Sequence, residues 1–134
     1  MASFDTGGIA ATMARFEKLA TGTDEACKKA VRAGGRLLAE RLNAAAPVDT
    51  GALSRSVKAG TVSWDAGDGY HCTVRPEGEN HGEPLAKIGN ILEYGRSNMP
   101  ARPWFQPTVD GSEAEVKAAM QAAFSAEQAR NAGG

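Results

Sequence analysis

The sequence predicts an α+β fold, with long N-terminal helices and a C-terminal helix packed on a small antiparallel sheet. Three observations carry this. Apolar residues recur at helical spacing towards both ends of the chain. They alternate with polar residues in the middle. Gly- and Pro-rich turns separate these stretches. The length of 134 residues fits one domain of ordinary size.

Ile9, Met13, Phe16 and Leu19 recur at helical spacing, so a short amphipathic helix is expected over about 9–20, within a helical extension covering 1–22. "TGT" from Thr21 breaks it. Thr23 is placed to cap the next helix, with Asp24 and Glu25 favourably sited in its first turn. This second helix should run to about Ala45, with Cys27, Val31, Gly34, Leu38, Leu42 and Ala45 as its inner stripe. Gly34 and Gly35 weaken the helix at its middle, and either admit another backbone closely or mark a bend. Pro47 stops the helix, because the residue before a proline disfavours helical dihedrals.

Leu53, Val57 and Ala59 then alternate as a strand. Val62 and Trp64 continue in the opposite phase, which places a bulge at Gly60. "DAGDG" (Asp65 to Gly69) reads as a hairpin loop, and Tyr70, Cys72 and Val74 as the returning strand. A lone hairpin is marginal, so a helix or another subunit's strand must lie beside it. "RPEGENHGEP" (Arg75 to Pro84) reads as an exposed loop. Leu85, Ile88, Leu92 and Tyr94 suggest a short helix closed by Gly95. The last helix follows the loop Gly95 to Pro103, with Val109, Val116, Met120, Ala123 and Phe124 facing inward. Ser112 and Glu115 form a capping-box pattern that predicts a restart or kink near Gly111. Residues 125–134 should fray, leaving 23–124 as the core of the domain.

Composition narrows the function. Fifteen basic and 16 acidic residues give a net charge of −1, so no strong field attracts nucleic acid. No run of 18 apolar residues suggests a membrane span, and the N-terminus lacks a signal-peptide core. Aromatics make up only 6% and much of the apolar share is alanine, so the core should be thin. A thin core favours burial of further apolar surface against neighbouring subunits. Cys27 and Cys72 lie in different elements and read as buried free thiols.

No residue pattern supports catalysis. His71 and His81 lack ligand spacing, and Glu77, Glu79, His81 and Glu83 read as a solvated loop rather than a metal site. Ser54, Ser56 and Thr50 lie near Asp49, but a triad would need His71 to reach them across the hairpin. "GDG" and "DTGG" lack the lysine and span of a phosphate loop. Glu93 sits in an apolar setting, where a carboxylate needs a partner. Arg55 and Arg96 are candidates, and a helix-terminus contact is the other solution. A small hydrolase using Ser54 or Ser56 with His71 remains only a remote alternative, and no metal or cofactor is expected.

Two segments carry a resemblance: "AAAPVDTGALSRSV" (Ala44 to Val57) and "ILEYGRSNMPARPWFQPTV" (Ile91 to Val109). The order helix, "APxxTGxLxxS", hairpin, "EYG", "PxxPF/W", terminal helix resembles the gene-product-ten-like tail component family of tailed phages. The similar part runs from Thr23 to Phe124. The resemblance implies a non-catalytic structural protein of the virion, assembled in the host cytoplasm. It further implies a tail-completion, neck or head–tail joining role in a ring of copies of itself, six-fold from the tail's symmetry. Tail-terminator, tail-tube or head-connector proteins would be its neighbours, with passive DNA contact in a channel and no membrane. A tail terminator or another minor virion protein is the alternative. Carried onto this chain, Pro47 ends the helix, Asp49 or Thr50 braces the turn, Gly51 takes a special dihedral and Leu53 anchors the strand. Arg55 would pair with Glu93. Tyr94 and Gly95 belong to the helix end, and Pro103, Trp104 and Phe105 launch the last helix. Intersubunit contacts are expected from Glu77, Glu79, His81, Glu83, Arg96, Asn98 and Arg102, because long loops on small ring subunits reach neighbours.

Overall fold

The computed structural model describes residues 2–5, 12–16, 23–47, 51–66 and 69–133. Its elements in chain order are β1 (Ala2–Asp5), β2 (Thr12–Phe16), α1 (Asp24–Ala45), a 3-10 turn (Leu53–Arg55), β3 (Val57–Ala59), β4 (Ser63–Asp65), β5 (Gly69–Pro76), β6 (Glu79–Asn80), β7 (Glu83–Pro84), α2 (Leu85–Tyr94) and α3 (Phe105–Gly133). The α+β class holds. β5 is central, with β2 on one side and β3 and β4 in succession on the other, all antiparallel; β1 extends the sheet beyond β2.

Helix α1 packs on β5, β3 and β2 with one face and on α3 with another. This sandwiching explains its two central glycines. A Cβ on Gly34 would stand 2.6 Å from Met120 Cγ, and one on Gly35 would stand 2.8 Å from Cys72 Sγ. Adjacent helix positions point about 100° apart, so one glycine admits α3 and the other admits the sheet. α1 runs through both without a break. Cys27 and Cys72 are free and buried.

The bulge lies where the alternation slips. Ala59 faces Val74, whereas Ser63 faces His71, so four steps on one strand oppose three on the other. The Gly60 N–H donates to Thr73 O at 2.8 Å at the start of the slip. On β5, Tyr70, Cys72, Val74 and Pro76 are buried while the residues between them are partly or fully exposed.

Five expectations need correction. Residues 12–16 are strand, paired with β5 from Thr12↔Val74 to Phe16↔Tyr70, rather than part of a helix over 9–20. The open side of β5 needed a hydrogen-bonding partner, and that non-local demand overrides the local helical period. Leu53 and Arg55 lie in the 3-10 turn, not in a strand, although Leu53 is still buried. The Arg75–Pro84 stretch is not a plain loop: Asn80↔Glu83 closes a two-residue turn with positive φ at His81 (53°) and Gly82 (83°), the signature of a type I′ hairpin. α3 passes through Gly111 without restarting, and Ser112 is buried within it. The same helix continues to Gly133, past the point where fraying is expected.

Candidate assembly interface and the anchors behind it

The junction between α2 and α3 is built on Glu93. Its side chain is 4% exposed. One carboxylate oxygen accepts the backbone N–H groups of Trp104 and Phe105, both at 2.7 Å, and the other accepts that of Gln106 at 3.1 Å. These are donors that the first turn of α3 cannot satisfy internally, and the negative charge complements the helix N-terminus. The partner is thus the helix terminus; Arg55 and Arg96 do not pair with Glu93. Trp104 closes the joint: its indole donates to Gly89 O at 3.1 Å, and its ring meets Phe105 edge-on at 5.3 Å. Gly95, at φ 74°, lets the chain leave α2; a Cβ there would lie 2.7 Å from the backbone N of Ala101. The Arg102 N–H then returns to Leu92 O at 2.7 Å. Pro103 precedes this start, exposed, and Tyr94 points outward.

The corner after α1 uses weaker materials. Ala46 turns to extended dihedrals ahead of Pro47. Asp49 and Thr50 lie outside the described residues. Gly51 has φ 80°, and the Arg55 guanidinium lies against it, 2.7 Å from where a Cβ would sit. Ser54 donates to Gly51 O and Ser56 to Leu53 O, at 2.9 and 2.7 Å. Asn43, a residue the sequence reading missed, ties the corner down. Its amide donates to Val57 O and accepts from Val57 N–H, both at 2.9 Å, imitating a paired strand. No local pattern marks it, because only the docking of β3 gives it a role.

Both serine hydroxyls are thus engaged within the turn. His71 Nδ1 lies 3.0 Å from Gly69 O. It is five residues along β5 from Pro76, the partner of Val57, which is roughly 16 Å at strand rise, so it does not reach Ser54 or Ser56. Among the described residues, no three His, Cys, Asp or Glu converge as metal ligands. The depression lined by Lys58, Gly60, Thr61, Thr73, Arg75 and Glu77 is open and polar, unlike the apolar cleft of a small-molecule site.

What remains is outward-facing. Among the described residues the β3–β4 side is an edge of the sheet, and all three residues of β4 are exposed. Trp64 on β4 is 57% exposed, leaning on Tyr70 at a ring distance of 6.5 Å. The β6–β7 hairpin exposes Glu77, Glu79, His81 and Glu83. The loop after Gly95 closes on a paired Arg96–Met99 bridge and exposes Arg96, Asn98 and Arg102. Across α1 and α3, Glu127 accepts Lys29 and Arg130, each at 2.7 Å. The Lys29 hydrogen bond, with the charges of both cations, holds the Glu127 carboxyl below the usual glutamate range against the opposing cost of burial.

No helix among the described residues is long and apolar enough to cross a membrane. Neither the curated proteins nor the solved structures include a significant match to the chain. A family described as "Bacteriophage HK97-gp10, putative tail-component" matches residues 10–95. The match starts earlier than the resemblance drawn from the motifs, taking in β2, and includes the β6–β7 hairpin while stopping short of "ARPWF". With the "TGxL" corner and "EYG" inside it, and well over half the chain covered, the protein belongs to the HK97-gp10-like family of bacteriophage tail components.

Proposed function

We propose that the chain is a ring-forming tail-completion or neck component, joining tail to head in the virion. The observation that carries this is Trp64 standing exposed on an open sheet edge. Burying such a side chain contributes on the order of 2 kcal/mol, and aromatic residues are enriched in protein contact surfaces. The bulge between Ala59 and Ser63 breaks the edge's hydrogen-bonding rhythm, and Lys58 adds charge. Both features oppose continuous strand addition. They favour a side-chain contact centred on Trp64. A contact between this edge and a different face of the next copy is head-to-tail, and it closes into a ring by rotation. Six copies follow from the tail's symmetry. Tail-terminator, tail-tube and head-connector proteins are the neighbours this position implies, with DNA passing through the channel. A tail terminator or another minor virion protein would use the same edge.

Trp64→Glu should abolish the discrete oligomer in sedimentation velocity, or incorporation into reconstituted tails, while thermal stability stays within about 0.5 kcal/mol of wild type, as for an exposed surface site. A wild-type chain that remains monomeric and never joins tails would sink the ring. Its position in a virion density map separates a neck role from a terminator role.

A further inference from the structure

Part of the charge on the exposed face of α1 meets no carboxylate among the described residues. Lys29, Arg32, Ala33 and Arg36 line a shallow surface depression at spacings of three, one and three residues. Arg32 and Arg36 are exposed, and among the described residues neither pairs with a carboxylate. Asn43 lies seven residues beyond Arg36, two helical turns on, and so shares its face. Asn43 is bonded to Val57 on the sheet edge. The arginines therefore lie on the face of α1 that carries Asn43.

The opposite charge sits on the β6–β7 hairpin. Its I′ turn and the Leu85 N–H to Gly78 O bond of 2.9 Å at its base make it a preformed ribbon. Glu79 and Glu83 are exposed on it, and Glu77, just ahead of β6, is exposed as well. Glu83, in β7, meets Lys87, in α2, at 3.2 Å in an exposed pair, an interaction of little strength. Glu77 borders a depression shared with Lys58 and Arg75 but pairs with neither, and Glu79 has no ionic partner among the described residues. The hairpin's principal contacts outside itself are with α2, not with α1.

We infer that the acidic β6–β7 hairpin of one copy docks on the Arg32–Arg36 face of α1 in the next copy. The inference rests on the ring reading and names the contact that orients it. Two unlike, complementary surfaces on one chain give a heterologous contact, and matched charge fixes which faces meet and steers their encounter.

The test is a charge exchange. Arg32→Glu/Arg36→Glu should weaken self-association on the order of tenfold or more at low salt, and Glu77→Lys/Glu79→Lys should do the same. Each variant alone sets like charges against each other. An equimolar mixture of the two should reassemble, because every stripe then finds a hairpin of opposite charge. All four substitutions on one chain should also restore assembly. Raising salt to about 0.5 M should weaken the wild-type contact and strengthen neither reversed variant beyond it. Circular dichroism confirms that each variant is folded. If both reversals associate like wild type, or the mixture stays apart, the contact is wrong and the ring still stands. A wild-type chain that is monomeric even at low salt overturns the contact, and tail incorporation then decides the ring separately.

Discussion

Two chain reversals hold this domain together, and they are made of opposite materials. The α2–α3 junction concentrates its hydrogen bonding on one buried carboxylate, Glu93, with three backbone donors. The α1–β3 corner spreads its bonding over Asn43, Ser54 and Ser56, all uncharged. The difference teaches where the fold is brittle. A buried charge held by several donors is strong, and its loss strands all of them. A set of neutral bonds fails one bond at a time.

Glu93→Ala should show the largest effect, a loss of about 3 kcal/mol or more in urea unfolding, because three N–H groups at the start of α3 lose their acceptor in a buried site. A loss below about 1 kcal/mol would mean that water reaches the joint and that the two corners do not differ in kind.

Asn43→Ala should cost about 1–2 kcal/mol, the value of two neutral bonds at a half-buried site. Equilibrium denaturation of the two variants side by side tests the contrast directly. If Asn43→Ala matched Glu93→Ala, the distinction between concentrated and distributed bonding would fail.

The smallest effect sharpens the comparison with a second covered carboxylate. Glu127 is 6% exposed, close to Glu93, but it takes flexible cations, and the Lys29 and Arg130 side chains are 33% and 69% exposed. Solvent screens such pairs. Because the folded carboxyl titrates below the ordinary value of 4.5, its contribution is present above that pH and is lost as pH falls through the lower folded value. The stability gap between wild type and Glu127→Gln should therefore be open at pH 6 and narrow on acidification below about 4.5. A gap that widened on acidification would contradict the pairing.

Much of the scaffold was legible because its signals are local. The spacing from Cys27 to Leu42 marked α1, the phase slip marked the bulge, and Gly95 marked the end of α2. Gly34 and Gly35 announced a close approach but not its direction, since the two neighbours come from residues 59, 72, 116 and 120. The site was less legible. Glu93 advertised a need for a partner, and both an arginine and a helix terminus were open; the structure takes the helix terminus. Its true partners are backbone donors from Trp104 to Gln106, which no side-chain pattern reveals.

By itself, the sequence determined the α+β class, the central helix and the turns, because periodicity and the dihedral limits of proline and glycine act within a few residues. Its motifs also pointed to the family. Only the tertiary structure decided that residues 12–16 are strand, which backbone groups Glu93 caps, and that Asn43 closes the corner. Each of these depends on groups brought together from distant positions, where burial and unmet hydrogen bonds outweigh local preference.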